Sequence, residues 1–178
     1  MKICKNCIYD ETIPYIEFNG DGVCNYCERD VELNKEYPVG EEGGKILNDF
    51  IDQIKKDGKR KKYDVVVGVS GGCDSSFLLH LAVKTGLRPL AVHFDNTWNS
   101  KIAVENIERM ITALDVDLYT HVVDFWPWMR QLLVKRIKRI RPLYYMDYDK
   151  EDTKNFLHKE YGWEWYGGHH MENRSAYF

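Results

Sequence analysis

Residues 70–75, Ser-Gly-Gly-Cys-Asp-Ser, form a loop whose composition is typical of an anion-binding site. Gly71 and Gly72 lack a Cβ, so the backbone there can turn sharply and present its N–H groups to a phosphate. A helix predicted to start near Ser75 would add its positive N-terminal end, and Ser70 and Ser75 would add hydroxyl donors. The loop therefore predicts a cradle for a phosphate group.

Asp74 places a carboxylate where a polyphosphate would lie, and no lysine follows the glycines as in the common nucleotide-binding loop. Carboxylate and phosphate repel each other, but Mg²⁺ typically bridges the two. We therefore expect Asp74 to hold Mg²⁺ on a polyphosphate, with ATP as the expected ligand. The structural alternative is that Asp74 caps its own helix, since aspartate is a favoured N-cap. The whole string after a buried strand favours the nucleotide site.

Four cysteines form two Cys-x-x-Cys pairs, Cys4 with Cys7 and Cys24 with Cys27, separated by sixteen residues. This spacing predicts a tetrahedral zinc site. Zinc would supply folding free energy that a segment of this size cannot obtain from burial. Four cysteine ligands leave no open position, so the predicted site is structural. Disulfides are the alternative, and a reducing compartment disfavours them.

Polar residues follow the second predicted strand, at the same edge of the sheet as the glycine loop. Asp95, Asn96 and Asn99 are expected to face a nucleotide or its acceptor there. The structural alternative is a turn with a helix cap, and Ser100 is the expected cap of the helix that follows. Trp98 is expected to cover the edge of the core.

The elements that position these residues alternate between strand and helix along the chain. Strands are predicted at 64–69, 88–94 and 117–124, and helices at 75–85, 100–114 and from Pro127 onwards. This order predicts an α/β fold with a parallel sheet and right-handed crossovers. The β-branched run at 64–69 predicts a strand that is covered on both faces. Residues 37–44 are interpreted as a linker, with an amphipathic helix beginning at Lys45.

Composition restricts the class of protein further. The 178 residues carry a net charge of −3, which gives the whole chain no bias towards nucleic acid or an anionic membrane. No apolar run approaches the length of a membrane span, and the first residues lack the apolar core of an export signal. The expected location is the cytoplasm.

The string SGGCDS resembles the SGGxDS pyrophosphate loop of the N-type ATP pyrophosphatases, or PP-loop enzymes. The resemblance implies an adenine nucleotide alpha hydrolase-like domain over 63–150, which adenylates a carbonyl oxygen and releases pyrophosphate. It also implies a pyrophosphate and Mg²⁺ site made by Ser70, Gly71, Gly72, Asp74 and Ser75. Cys73 falls at the variable position of the motif, where a small neutral filler is favoured over a reactive thiol.

Four segments in the same order resemble the N-acetyl sugar amidotransferases: CKNCIYDETIPYIEFNGDGVCNYC, YDVVVGVSGGCDSSFLLHL, VHFDNTWNS and YGWEWYGGHHMENR. This resemblance implies conversion of the acetamido group of a bacterial surface-polysaccharide (lipopolysaccharide) sugar precursor to an acetamidino group. ATP activates the amide oxygen, ammonia then attacks, and AMP and pyrophosphate are released. The implied partners are a sugar or sugar-nucleotide substrate and separate glutaminase subunits that supply ammonia. A knuckle is expected over 1–36, a linker and helix over 37–62, and a helix and polar tail over 151–178.

The polar tail is assigned a role only through this resemblance. Its residues match a GGxHxExR-like stretch, which implies catalytic roles for His169, His170 and Glu172 together with Asp74, and a nucleotide contact for Arg174. Arg174 would clamp a phosphate, and a histidine would handle the proton of the incoming ammonia. Family members are longer between the third strand and this tail, so the domain over 63–150 is expected to be incomplete.

Two other functions stay open at this point. A tRNA-thiolating PP-loop enzyme would also combine a zinc knuckle with SGGxDS, but it needs a basic face and further cysteines after the loop. The third hypothesis is a non-catalytic subunit that binds zinc and nucleotide. The short region between the third strand and the tail favours this hypothesis, and the intact SGGCDS loop opposes it.

Overall fold

A computed structural model of the chain describes residues 2–95, 99–122 and 140–167. The chain divides into two compact units, one made of Met1–Ile46 with Tyr144–Asp147 and the other of Leu47–Leu143 with Tyr148–Phe178. No helix of the described ranges is long and apolar enough to cross a membrane. The predicted helix after Pro127 lies outside these ranges.

The first unit is built around the cysteine pairs. Two isolated antiparallel bridges, Ile3 with Asp10 and Phe18 with Cys24, close the turns that carry them. Helix α1 follows over Asn25–Glu36 and buries none of its residues. The unit therefore has little apolar core of its own, as expected of a fold held together by a metal ion.

Helix α2 runs over Gly40–Gly58, and the division between the two units falls within it. The interpretation of 37–44 as a linker is therefore wrong from Gly40 onwards. Glu41 and Glu42 stabilise the positive N-terminal end of the helix. Gly43 is required by packing, because a Cβ there would lie 2.1 Å from the Pro38 carbonyl oxygen. Gly43 thus accommodates a close contact between the helix and the residues before it.

The second unit contains a three-stranded parallel sheet in the order β1-β2-β3, with β1 at Val65–Gly68, β2 at Pro89–Asp95 and β3 at Leu118–Val122. Val67 pairs with Ala91, and Ala91 pairs with Leu118. Helix α3 at Cys73–Lys84 connects β1 to β2, and α4 at Lys101–Leu114 connects β2 to β3. The predicted α/β class with an N-terminal cysteine knuckle is confirmed.

The core lies on one face of this sheet, where α3 packs against β1 and β2. Val67, Ala91 and Leu79 of α3 are buried there, and full burial of a leucine contributes roughly 1.5–3 kcal/mol. The other face is more open, and Val66 is 65% exposed. The prediction that β1 is covered on both faces is therefore wrong, because side chains alternate along a strand and α3 covers only one face.

The last described elements are a 3₁₀ turn at Pro142–Tyr145 and helix α5 at Lys150–Tyr161. Asp149 caps α5 by accepting from the Asp152 N–H, and Gly162 ends it in the left-handed conformation. Helix α5 packs on α3 and α4. This packing brings Tyr148, before α5, and Trp163 and Tyr166, after it, close to the glycine loop.

Candidate phosphate-loop site and cysteine cluster

The glycine loop lies at the carboxyl end of β1 and leads directly into α3. The Val69 N–H still donates to the Val92 carbonyl oxygen of β2, and the chain then turns away from the sheet. Gly71 makes the turn with φ of +77°, and a Cβ there would lie 2.2 Å from the Ala103 carbonyl oxygen. A side chain at Gly71 would therefore need both a strained backbone and a shift of α4.

Hydroxyl groups hold the loop closed on itself. The Ser75 hydroxyl donates to the Gly72 carbonyl oxygen at 3.1 Å and accepts from the Ser70 N–H at 3.3 Å. The Gly72 N–H reaches the Ser70 hydroxyl at 3.4 Å. Four of the residues predicted to bind phosphate, Ser70, Gly71, Gly72 and Ser75, thus form one compact turn at the N-terminus of α3. Backbone N–H groups and hydroxyls in this arrangement are suited to an anion.

Asp74 lies in the first turn of α3, but the N-cap of that helix is Gly72. The alternative in which Asp74 caps its own helix is therefore wrong. Its Oδ1 accepts a hydrogen bond from the Tyr148 hydroxyl at 2.7 Å and lies 3.6 Å from Lys150 Nζ. The Asp74 side chain remains 57% exposed. The carboxylate is thus held by two residues that are distant in sequence, and it stays open to solvent.

Tyr148 and Lys150 are site residues that the sequence analysis missed. Burial, reinforced by the hydrogen bond to Asp74, raises the pKa of the Tyr148 hydroxyl, so this group remains a donor at neutral pH. Tyr148 follows Asp74 by 74 residues, and the stretch around it contains no motif. Only the packing of α5 on α3 reveals the contact.

The Cys73 side chain points into the protein and is 3% exposed. Its Sγ lies 3.5 Å from the Tyr148 hydroxyl. Burial raises the pKa of this thiol, so it stays protonated at neutral pH. These properties agree with a neutral filler beneath the loop.

The end of β2 supplies a second polar group of residues beside the loop. The His93 Nδ1–H donates to the Val69 carbonyl oxygen at 3.0 Å, which leaves Nε2 to accept from the Asn99 amide at 3.1 Å. Asn99 Nδ2 also lies 3.4 Å from Asp95 Oδ1. The predicted residues Asp95 and Asn99 therefore contact each other, and Asn99 also contacts a buried histidine that the sequence analysis missed.

Predictions were also made for three other residues after β2, namely Asn96, Trp98 and Ser100. The Ser100 hydroxyl accepts from the Ala103 N–H and caps α4, as predicted. Asn96 and Trp98 lie outside the described residues. So do the tail residues assigned through the resemblance, His169, His170, Glu172 and Arg174.

The four predicted metal ligands come together in the first unit, with their Sγ atoms all within 4.8 Å of one another. Cys4 and Cys27 Sγ are 3.9 Å apart, and Cys7 and Cys24 Sγ are 3.7 Å apart. These separations are far too long for disulfides, and all four cysteines are free. A tetrahedral ion with Zn–S bonds of about 2.3 Å would hold sulfurs about 3.8 Å apart. The cluster therefore has the dimensions of a zinc site.

The protein environment favours the thiolate at one of the four cysteines, Cys4. Burial opposes ionisation of Cys4, but N–H donors from Asn6 and Cys24, at 3.3 and 3.2 Å, outweigh it and lower the pKa of this thiol to about 6. A hydrogen bond with Cys7, together with burial, raises the pKa of Cys27 to about 12. Neighbouring thiolates repel one another unless a cation lies among them. The donor set therefore fits a divalent metal ion.

Comparisons with known proteins give partial similarities. An uncharacterized protein from Methanocaldococcus jannaschii is 32% identical over 117 residues, which are 65% of this chain and 40% of that protein. The chain thus spans less than half of the curated relative that it matches. No family model matches the chain.

Two solved structures overlap with less than half of the chain. NMN synthetase from Francisella tularensis is 30% identical, with 46% of this chain and 33% of that chain covered and a TM-score of 0.36. NH3-dependent NAD synthetase from Campylobacter jejuni, in complex with the nitrate ion, is 24% identical, with 44% and 35% covered and a TM-score of 0.34. Overlaps of this size carry no argument about function, so the assignment of the fold rests on its own sheet and helices.

Proposed function

We propose that this chain belongs to an ATP-dependent, AMP-forming enzyme of the PP-loop type that replaces the oxygen of an acetamido sugar with nitrogen from ammonia. The observation that carries the proposal is the position of Asp74. Its carboxylate lies beside an anion-binding turn at the carboxyl end of β1, and it is not used as a helix cap. An exposed carboxylate beside such a turn is suited to hold a cation against an anionic ligand.

The loop would bind the β- and γ-phosphates of ATP. The first N–H groups of α3 lack partners within the helix and carry its positive end. The Ser70 and Ser75 hydroxyls lie 3.2 Å apart on the same turn, and each would turn from its contact within the loop to donate to a phosphate. Carboxyl ends of parallel strands are where ligands bind in open α/β sheets.

Asp74 fits the role of a magnesium ligand. Both of its contacts within the described residues, from Tyr148 and Lys150, fall on Oδ1, and the side chain remains largely exposed. Mg²⁺ at this carboxylate would neutralise the phosphates and favour departure of pyrophosphate. Tyr148 would orient the carboxylate, and the Lys150 ammonium would add positive charge beside the phosphates.

The proposed reaction has two steps. The acetamido oxygen attacks the α-phosphorus of ATP, the bond to the β-phosphate breaks, and pyrophosphate leaves. Ammonia then adds to the imidate carbon and loses a proton, and the oxygen leaves with AMP. Asp95 and Asn99 would contact the nucleotide or the acceptor, because His93 joins them to the end of β1.

The sugar substrate, the ammonia donor and the roles of the tail rest on the resemblance of four sequence segments to the N-acetyl sugar amidotransferases. Four cysteines are committed to the cluster and Cys73 is buried, so we propose that a separate glutaminase supplies the ammonia. Asn96, after β2, and the tail would complete the site, the tail with the following residues: His169, His170, Glu172 and Arg174.

The test is an assay of pyrophosphate release with Mg-ATP, ammonium and a panel of acetamido sugars. A positive result is pyrophosphate release that depends on the sugar, with a sugar product that is one mass unit lighter. The chain matches only part of its relative, so binding is also measured separately from turnover. The binding of Mg-ATP is followed by calorimetry. Release that requires tRNA and a sulfur donor would identify a thiolating enzyme. Binding of Mg-ATP without turnover under any condition would identify a nucleotide-binding subunit.

A further inference from the structure

The segment that follows α5 lies against the glycine loop. The Trp163 indole Nε1–H donates to the Gly71 carbonyl oxygen at 3.0 Å, across 92 positions of sequence. Trp163 is 1% exposed, so this hydrogen bond is shielded from water. A shielded hydrogen bond has a well-defined direction, because water cannot replace either partner.

Asn106 of α4 holds the same carbonyl from a second side. Its Nδ2 donates to the Gly71 carbonyl oxygen at 3.3 Å and to the Glu164 carbonyl oxygen at 2.8 Å. Its Oδ1 accepts from the Glu164 N–H at 2.8 Å. Asn106 is fully buried, so a single side chain ties the loop, α4 and the segment after α5 together.

Arg109, one turn further along α4, fixes that segment independently. Its guanidinium donates to the Gly162 carbonyl oxygen at 2.6 Å and pairs with the Glu164 carboxylate at 2.9 Å. Trp163, which lies between these two residues, is therefore anchored on both sides. The backbone that carries the indole is therefore fixed relative to α4.

The consequence for the loop follows from the planarity of the peptide bond. The carbonyl of Gly71 and the N–H of Gly72 belong to one trans peptide, so they point in opposite directions. Two buried donors hold the carbonyl towards the interior. The Gly72 N–H therefore points to the opposite side, where the Ser70 hydroxyl lies. A flipped peptide would instead present a carbonyl oxygen to an anion.

We propose that Trp163 and Asn106 are positioning residues of the phosphate loop, which aim the Gly72 N–H at a phosphate group by fixing the Gly71 carbonyl. The inference rests on the proposed function, because it requires that the loop binds a polyphosphate. It assigns the segment after α5 to that site, although the motif itself ends at Ser75.

The test compares Trp163→Phe with Trp165→Phe in the full chain. Phe at 163 keeps most of the ring but removes the donor, whereas Trp165 is 40% exposed and lies next to the same segment. Binding of Mg-pyrophosphate and Mg-ATP is measured by calorimetry, and the Gly72 amide is followed by ¹⁵N-glycine NMR. We expect 5- to 20-fold weaker binding and a smaller ligand-induced shift of Gly72 for W163F, with less than twofold change for W165F. A merely structural role would lower the melting temperature without changing the Gly72 response of the folded protein.

A measurement on the unmodified chain covers the case in which W163F does not fold. The Trp163 indole proton is expected to exchange with solvent at least tenfold more slowly when Mg-pyrophosphate is bound. Unchanged exchange with ligand bound, or equal affinities of folded W163F and the unmodified chain, would overturn the positioning role alone. Absence of any binding by the unmodified chain would overturn the proposed function and this inference with it.

Discussion

The Tyr148 hydroxyl donates to Asp74 Oδ1 over 2.7 Å and joins the start of α3 to the residues before α5. An aspartate near the start of a helix can either cap that helix or hold its carboxylate towards a ligand. Gly72 occupies the cap position, so the Asp74 carboxylate is free of that task and is oriented by a phenol. The magnesium site proposed for the loop depends on a carboxylate that does not cap the helix.

Substitution of Asp74 by alanine is expected to abolish Mg²⁺-dependent pyrophosphate release while the fold is retained. The loss should be on the order of 100-fold or more, since a metal ligand at the phosphates contributes several kcal/mol in the transition state. Removal of an acid from the first turn costs only about 1 kcal/mol of stability. Turnover and urea unfolding measure the two effects. Asp74→Asn is the matched control for size, and normal turnover in either variant would remove Asp74 from the mechanism.

Lys150→Met should weaken Mg-ATP binding about fivefold, because the ammonium lies 3.6 Å from Asp74 and beside the proposed phosphate site. The difference should shrink as ionic strength rises, since salt screens partly exposed charges. Stability should change by less than about 0.5 kcal/mol. Lys159→Met removes a charge from the exposed far end of α5 and serves as the control. Equal affinities in the two variants would contradict a phosphate-side role for Lys150.

The two loop glycines should respond very differently to alanine. Gly71→Ala combines φ of +77° with a Cβ only 2.2 Å from the Ala103 carbonyl oxygen, so we expect a loss of about 3 kcal/mol or more. At Gly72, where φ is −77°, the new Cβ would lie 3.0 Å from the Tyr166 hydroxyl, which can shift. The expected loss is about 1 kcal/mol or less. Chemical denaturation of both variants checks the order, and a reversed order would show that the loop is not held as described.

The alternation of strands and helices, the glycine turn and the cysteine cluster could be predicted because each is encoded locally. A β-branched run followed by Gly71 and Gly72 and then an apolar helix specifies a strand, a loop and a helix without tertiary information. The spacing of the cysteine pairs is equally local. Tyr148, Asn106 and Trp163 could not be found in this way, because their roles depend on the packing of distant elements. Of these three residues, only Asn106 could have been noticed in the sequence, because it places an amide on the otherwise apolar, buried face of α4.

The start of α2 shows the opposite failure, in which a local signal was misleading. Glycines in 40–44 are typical of a linker, but at Gly43 the missing Cβ makes room for the Pro38 carbonyl oxygen. Likewise the apolar run of β1 predicts burial of both faces, whereas the cover on each face is decided by elements elsewhere in the chain. Val66 remains largely exposed for this reason.

Removal of one cysteine ligand should empty the metal cluster. Cys24→Ser is expected to lower zinc content from about one ion per chain to nearly none, because three thiolates and a hydroxyl bind far more weakly. The first unit has little core, so it should lose most of the roughly 10 kcal/mol that structural zinc sites contribute to folding. Metal analysis and hydrogen exchange over residues 2–36 report the two effects. Cys73→Ser should retain the zinc, and persistence of zinc in Cys24→Ser would exclude this cluster as the site.

Cys73 should behave as a buried, protonated thiol. Burial raises its pKa in the folded protein, so at pH 8 it should react with iodoacetamide at least about tenfold more slowly than a thiol of the unfolded chain. Above the ordinary thiol pKa of about 8.5 the unfolded chain loses this proton first, so this residue makes unfolding more favourable as pH rises. Cys73→Ala should therefore flatten the fall in the free energy of unfolding between pH 8 and about 10. Rapid alkylation at pH 7 that also abolishes Mg-ATP binding would instead identify Cys73 as a reactive group of the loop.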